Sequence, residues 1–456
     1  MRSILKGVIL ASASFLVCST SMAATTSASS KNKTTKAEQK VGYYDSVTGH
    51  GITVTTTPFL GVRSVYNASD LLVNLPSMNE DLRLLQQQQK VEAALRTGGN
   101  AVPYEQRPML LISGYAQGQG IWGQQFGGGA KSDINLSAAE LDFNALSGQW
   151  ASAFMALQYD SSSPTTGART TNSRMHLDRA FVSIGDLKSS PVYGTVGQFF
   201  LPFGYYSSYM VTTPVTTTLF RAKTRAAMLG YSKNGLYAQT YAFKGDAHTG
   251  TSGNVVNEGG LNVGYDKTVN DNTNYTAGAG YITNVADSAG MQSNAITTTG
   301  QFQGFGQSST TQRISHRVGG MDLHGKWTYG PYQLIGEFIS ALEKFATTDM
   351  TYNGKGATPR AVQLEGAYNW MLQEKPLTFA LSYGHTWQAL ALNAPECSLA
   401  AIVSTSFWKD TIESIEFRHD NNYNSSDRAT GAGQATAIAP AGNTQNIVTL
   451  SLAAYF

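Results

Sequence analysis

The sequence predicts an all-β chain whose mature part closes into a transmembrane antiparallel β-barrel of about 16 strands, preceded by a small N-terminal periplasmic segment with a short helix. Three observations carry that expectation. From Met109 onward, apolar and polar residues alternate with period two. The links between successive strands are short and long in turn, the pattern of a barrel with tight periplasmic turns and long outer loops. The last strand places Val448, Leu450, Leu452, Ala454 and the aromatic Phe456 on one apolar face.

The elements follow in chain order. Arg2 and Lys6 form a positive start, Gly7 to Val17 a short apolar stretch and Ser21-Met22-Ala23 a small-residue cleavage site, so residues 1–23 read as a secretory signal peptide. Its loss removes two of 32 basic residues and none of the 30 acidic ones, which leaves 30 of each sign. A balanced chain lacks the positive field that a nucleic-acid partner requires. Only Cys397 remains after cleavage, so no intrachain disulfide is expected.

Residues 24–108 form the periplasmic segment. Its first part is rich in Ser, Thr, Lys and Ala, and β-like stretches follow at 51–57 and 71–75. Ser77 and Glu80 have capping-box spacing after Pro76, and good helix formers then run to Arg96, so a short helix is expected over 78–96. A small periplasmic helix and a barrel plug both fit this stretch.

Residues 109–456 form the barrel. Strands are expected near 109–120, 134–146, 149–159, 174–186, 192–200, 225–232, 235–243, 260–266, 273–283, 319–328, 331–341, 360–371, 376–387, 397–408, 411–420 and 446–456. Tight turns are expected at Ser147-Gly148, Ser189-Ser190, Lys233-Asn234, Asn270-Asp271, Tyr329-Gly330, Glu374-Lys375 and Lys409-Asp410. Leu377, Phe379, Leu381 and Tyr383 should face lipid, with Thr378, Ala380, Ser382 and Gly384 facing the lumen. Trp150, Tyr159, Trp327, Tyr329, Tyr332, Tyr368, Trp370, Trp387 and Trp408 cluster at strand ends, where aromatic rings suit a membrane interface. Glycine (46 residues) is frequent and charged residues are few (14%), which suits lipid-facing apolar residues alternating with a polar lining. The whole points to the bacterial outer membrane, with lipid, lipopolysaccharide and the barrel assembly machinery as partners and Phe456 as the assembly signal.

No catalytic or metal constellation emerges and no cofactor is expected. The seven histidines, His50, His176, His248, His316, His324, His385 and His419, lie on separate segments without metal-ligand spacing. Gly114, Gly118 and Gly120 read as barrel curvature, because no helix follows them to make a phosphate site. The expectation is therefore a non-enzyme. By parity, Glu140, Asp142, Arg179, His324, Lys326, Glu337, Glu365, Glu416 and Arg418 point inward. In the third long link, Arg221, Lys223 and Arg225 form the densest positive cluster near the barrel, after the proline and aromatic run Leu201-Pro202-Phe203-Gly204-Tyr205-Tyr206. Folded inward, such a link makes a cationic constriction; held outside, its charges meet lipopolysaccharide.

Three stretches, Ile52 to Gly61, Asn67 to Ser77 and Val196 to Gly204, resemble the LbtU-like siderophore porin family, of the legiobactin receptor type. The resemblance implies a 16-stranded barrel that takes up a ferric siderophore without TonB coupling. The N-terminal helix departs from it, being shorter than the coiled coil of that family. With Arg221, Lys223, Arg225, Arg179, Lys326 and Arg418 as candidate ligand contacts, the expected ligand is an anionic ferric polycarboxylate. The alternatives are a general or anion-preferring porin and an adhesin or structural barrel.

Overall fold

Period-two alternation produces sixteen antiparallel strands that close on themselves. The computed structural model describes residues 41–42, 53–56, 79–86, 109–160, 174–250, 255–270, 272–292, 302, 304–306, 311–373, 375–408, 411–432 and 444–455. The strands are β1 (Met109–Gln124), β2 (Ala130–Ser147), β3 (Ala151–Asp160), β4 (Arg174–Ile184), β5 (Val192–Phe200), β6 (Lys223–Lys233), β7 (Leu236–Phe243) and β8 (Glu258–Asn270). There follow β9 (Thr273–Ile282), β10 (Gly320–Tyr329), β11 (Tyr332–Ala341), β12 (Arg360–Leu372), β13 (Lys375–Trp387), β14 (Cys397–Thr405), β15 (Thr411–Asn421) and β16 (Thr444–Tyr455). Each pairs with its neighbours in sequence, and β16 pairs with β1 from Asn446↔Gln124 to Tyr455↔Tyr115, which closes the ring. Closure leaves no strand edge facing lipid, the condition for crossing a bilayer with strands. The strand Thr53–Thr56 runs parallel to Met109–Ile112 of β1, continuing that edge where β16 ends, and pairs in turn with Val41–Gly42. The signal peptide and Phe456 lie outside the described residues, as does most of 24–108.

The two faces separate as parity requires. In β13, Thr378, Ala380, Ser382 and Thr386 are buried and Phe379, Leu381 and Tyr383 are exposed; in β16, Ser451 and Ala453 are buried and Leu450 and Leu452 exposed. Trp150, Trp327, Tyr329, Tyr332, Tyr368, Trp370 and Trp408 stand exposed at the end that carries the short turns, and Trp122 and Trp387 at the other. Asn234 and Gly235 both take positive φ, 54° and 86°, in the two-residue turn between β6 and β7, the backbone that matches strand twist in a tight hairpin.

On the β5–β8 wall the inward residues include large rings, and glycine makes room for them. Tyr193 lies directly across from Gly230, Tyr237 from Gly264 and Tyr241 from Gly260. Each ring lies flat over its glycine, so that a Cβ there would fall within 2.4 Å of ring or hydroxyl atoms. The rings thus line the wall instead of filling the lumen.

The helix expected over 78–96 is described from residue 80 to 86, and of the two placements that the sequence left open its surroundings match the one within the barrel. Arg83 N donates to Asn79 O at 3.0 Å in the first turn, with Asn79 at φ 65°. Glu80, Asp81, Leu82, Leu84 and Leu85 are all buried, and the leucines join one apolar cluster with the inward Phe154, Phe181, Tyr193 and Tyr237. The helix therefore sits inside the barrel. Glu80 does not turn back to cap the helix, because its carboxylate meets Arg179 of β4. Each buried leucine contributes about 1.5–3 kcal/mol to holding it there.

Replacing Gly230 by valine should force Tyr193 off the wall and destabilise the barrel by about 1–3 kcal/mol, the usual cost of overpacking. Gel mobility of unheated protein after a temperature series reads this as a lower unfolding temperature; an unshifted transition would mean that the ring does not depend on the glycine.

Candidate functional site

The inner wall from β10 to β15 carries four acidic side chains, Asp322, Glu337, Glu365 and Glu416, each buried. A row of carboxylates in a confined lumen needs donors. The chain between β5 and β6 supplies them. It leaves the wall at Phe200, crosses the lumen and docks about half the ring away through its own backbone. Gly204 N donates to Asp322 Oδ1 (3.1 Å), and Tyr205 N and Tyr206 N donate to Glu337 Oε1. Ser208 Oγ donates to Glu365 Oε1 (2.6 Å) and Tyr209 N to Glu365 Oε2 (2.7 Å). Val211 N (2.6 Å) and Thr212 N (3.1 Å) donate to Glu416 Oε2.

Sequence explains why this stretch can present its amides in series. Pro202 cannot donate, Gly204 takes φ 87°, and Leu201, Phe203 and Tyr206 bury their side chains, which fixes the path. Tyr205 stacks on His324 at 5.2 Å between ring centres, and His324 is held by Asp322 (2.6 Å) and by the Tyr237 hydroxyl (3.2 Å). Tyr209 reaches Gln333. A short helix, Val215–Phe220, then carries the chain back to β6.

From the long-loop side a second layer rests on this segment. Ser288 Oγ donates to Leu219 O (2.8 Å) and Ala289 N to Arg221 O (2.8 Å). Phe302, Phe305, Phe345, Met350, Leu390, Leu392 and Tyr423 are almost wholly buried in the same apolar cluster. The short strands Met350–Tyr352, Lys355–Gly356 and Ala429–Gly431 pair into a small sheet that joins two of the outer loops. The lumen thus holds three layers: packed outer loops, residues 201–222 and, against the β2–β7 wall, the helix 79–86.

The inward parity expected for Glu140, Asp142, Arg179, His324, Lys326, Glu337, Glu365, Glu416 and Arg418 agrees with their burial; Lys326 and Arg418 are half-buried and the others buried. The six candidate contacts do not converge on one spot. Arg179 is buried in an ion cluster with Glu80, Glu140 and Asp178. Arg418 Nε bonds Asp420 (2.8 Å), and Arg418 Nη1 bonds Thr212 Oγ1 (3.2 Å). Lys223 pairs with Asp178. Arg221 stacks over Phe200, 4.5 Å from the ring centre. Arg225 is exposed with Ala227 and Leu229, on the face opposite to the inward Ala226 and Met228. The cluster of Arg221, Lys223 and Arg225 is divided at the start of β6, where Lys223 in the first position reaches Asp178 and Arg225, two residues on, stands on the outer face. Sequence reasoning missed Phe200, Glu80 and the amide ladder; the inward parity of Glu337, Glu365 and Glu416 was the one available signal. Among the described residues, no group of three or more His, Cys, Asp or Glu side chains is placed to hold a metal ion.

A UPF0422 protein of Legionella pneumophila is 37% identical over 386 residues, covering 84% of this chain and 72% of that protein. The chain belongs to the UPF0422 family. A UPF0422 protein of Coxiella burnetii is 34% identical over 412 residues, covering 89% of this chain and 84% of its own length. No protein-family model matches the chain. Among solved structures, an anion-selective porin from Comamonas acidovorans superposes on this UPF0422 barrel with a TM-score of 0.50 at 12% identity, covering 76% of this chain and all of that one. That likeness establishes a porin-like fold, which is consistent with the bacterial outer membrane.

Substituting Glu337 by alanine should expose the amides of Tyr205 and Tyr206 while those of Tyr209, Val211 and Thr212 keep their carboxylates. Hydrogen exchange of the detergent-solubilised protein should then quicken by at least tenfold at the first pair alone. Equal protection in both proteins would remove the amide ladder as the fastening.

Proposed function

We propose that this UPF0422 chain is a passive outer-membrane channel whose cargo is an anionic ferric polycarboxylate siderophore, taken up without TonB coupling. The observation that carries the channel reading is the segment 201–222, folded across a 16-strand barrel and fastened to the opposite wall. Barrels of this strand number are wide enough for an aqueous path, and an inward segment narrows that path to a defined aperture. A channel assembled from such parts performs selection and passage, not catalysis. The siderophore assignment rests on the sequence resemblance and on the basic residues near the aperture, Arg221, Lys223 and Arg418, with Arg179 and Lys326 elsewhere on the inner wall and Arg225 on the outer face. Arginine suits a carboxylate-bearing chelate because its planar fork matches carboxylate geometry. The packed outer loops favour an affinity-selected solute over the free traffic of a general porin.

Cells that express the gene should accumulate radioiron from a ferric polycarboxylate siderophore even when energy coupling across the envelope is abolished, and cells without it should not. Changing Arg221, Lys223 and Arg225 together to glutamine should lower uptake roughly tenfold at limiting ligand, most clearly at low ionic strength, with normal surface level. Small-ion conductance without any preference for ferric chelates would assign a general porin instead, and a barrel that conducts nothing would point to a structural or adhesive role. Deleting residues 79–86 should raise single-channel conductance in planar bilayers; an unchanged conductance would mean that the helix does not obstruct the path.

A further inference from the structure

Three cations converge on the ring of Phe200. Arg221 lies 4.5 Å from its centre, Lys223 5.5 Å and Arg179 5.7 Å. Two of them have carboxylates of their own: Lys223 pairs with Asp178, and Arg179 with Glu80, Glu140 and Asp178. Arg221 differs. Its Nε and Nη1 are fully buried, and neither finds an acceptor among the described residues. Asp178, the carboxylate that acts on it electrostatically, bonds Arg179 and Lys223 instead. Beside it, the Tyr206 hydroxyl is also buried with no partner among the described residues, and the two groups act on each other electrostatically. Burial brings Arg221 down to about 10, so it stays charged at neutral pH. The residue as a whole is half-buried. A fixed cation and a hydroxyl donor, with no local acceptor, are complementary to an oxyanion.

We infer that Arg221 and the Tyr206 hydroxyl form an oxyanion-binding point within the constriction, taking a carboxylate or phosphate group of the passing solute. The inference rests on the channel reading and places its charge selection at one residue. Arg221 belongs to the same inward segment that the carboxylate ladder fastens, so the bound group meets the narrow part of the path and not the outer rim. Lys223 and Arg179 add positive field around Phe200, yet each is tied to a carboxylate and supplies less of it.

Citrate and inorganic phosphate are the probes. Purified wild-type protein in planar bilayers should show anion selectivity by reversal potential in a salt gradient, with its current blocked by one or both. Arg221→Gln should lose most of the selectivity and weaken the block about tenfold; Arg221→Lys should keep the selectivity but lose part of the block. Tyr206→Phe, which preserves the ring, should weaken block a few-fold without changing selectivity. Heat-dependent gel mobility checks that each variant is assembled, and the Tyr206→Phe and Arg221→Lys proteins carry the test if glutamine prevents assembly. Calorimetric titration of both probes into detergent-solubilised protein reads the same site without requiring conduction. Block by citrate alone identifies a carboxylate site and block by phosphate alone a phosphate site. Unchanged block, selectivity and titration in the Arg221 variants would overturn the assignment, whereas a wild type that binds the probes but conducts nothing would overturn the channel reading and leave the site standing.

Discussion

The interior is organised by one pairing of opposites: buried carboxylates on the far wall against backbone N–H groups of the inward segment. Asp322, Glu337, Glu365 and Glu416 receive donors in chain order from Gly204 to Thr212. Hydrogen bonds to charged groups contribute about 1.5–3 kcal/mol each, and an unanswered buried carboxylate costs more than such a bond gains. The wall and the segment therefore need one another. Everything packed above and below, from the outer loops on Leu219 and Arg221 to the ring of Tyr205 on His324, takes its position from this fastening.

Amides, unlike basic side chains, satisfy the wall without adding net charge. Among the described residues, Arg221 is left without a carboxylate bonded to it. The use of amides also separates two acidic environments in one lumen. Glu80 and Glu140 meet a guanidinium, Arg179, and between them hold the N-terminal helix; the wall carboxylates meet neutral donors and hold the constriction. The first is an ion cluster sensitive to the loss of one partner, the second a series whose members are independent enough to be removed one at a time.

The wall was largely legible in the sequence and the interior was not, for a physical reason. A strand in a barrel has one face in lipid and one in the lumen, so period-two alternation reports burial directly, as in Thr378 to Thr386 against Phe379 to Tyr383. The short turns could be read because residues such as Asn234 and Gly148 supply backbone that few others do, although the turn expected at Lys233-Asn234 lies one residue later, at Asn234-Gly235. No comparable periodicity marks an irregular segment whose amides meet carboxylates more than a hundred residues away. Leu201 to Tyr206 could be read as a stiff run, but not where it docks. The helix was expected from capping-box spacing, yet Glu80 is used for Arg179, and only the three-dimensional neighbourhood reveals that the leucines face the barrel wall. The division of the basic cluster falls at the first residues of β6, where Lys223 reaches Asp178 and Arg225 does not, and edges are where sequence patterns lose resolution.

The fastening has a consequence for how the molecule is made. Val211 meets Glu416 across 205 positions of chain, and Glu80 meets Arg179 across 99. Contacts of such separation form only after the intervening strands exist, since the entropy of closing a long loop must be met before the contact returns anything. The sheet is consequently the early product and its contents the late one. The stretch that will narrow the lumen meets its first three anchors on β10, β11 and β12 and its last, Glu416, only when β15 has joined. The order in which the interior is secured follows from the distance in sequence between a donor and its acceptor.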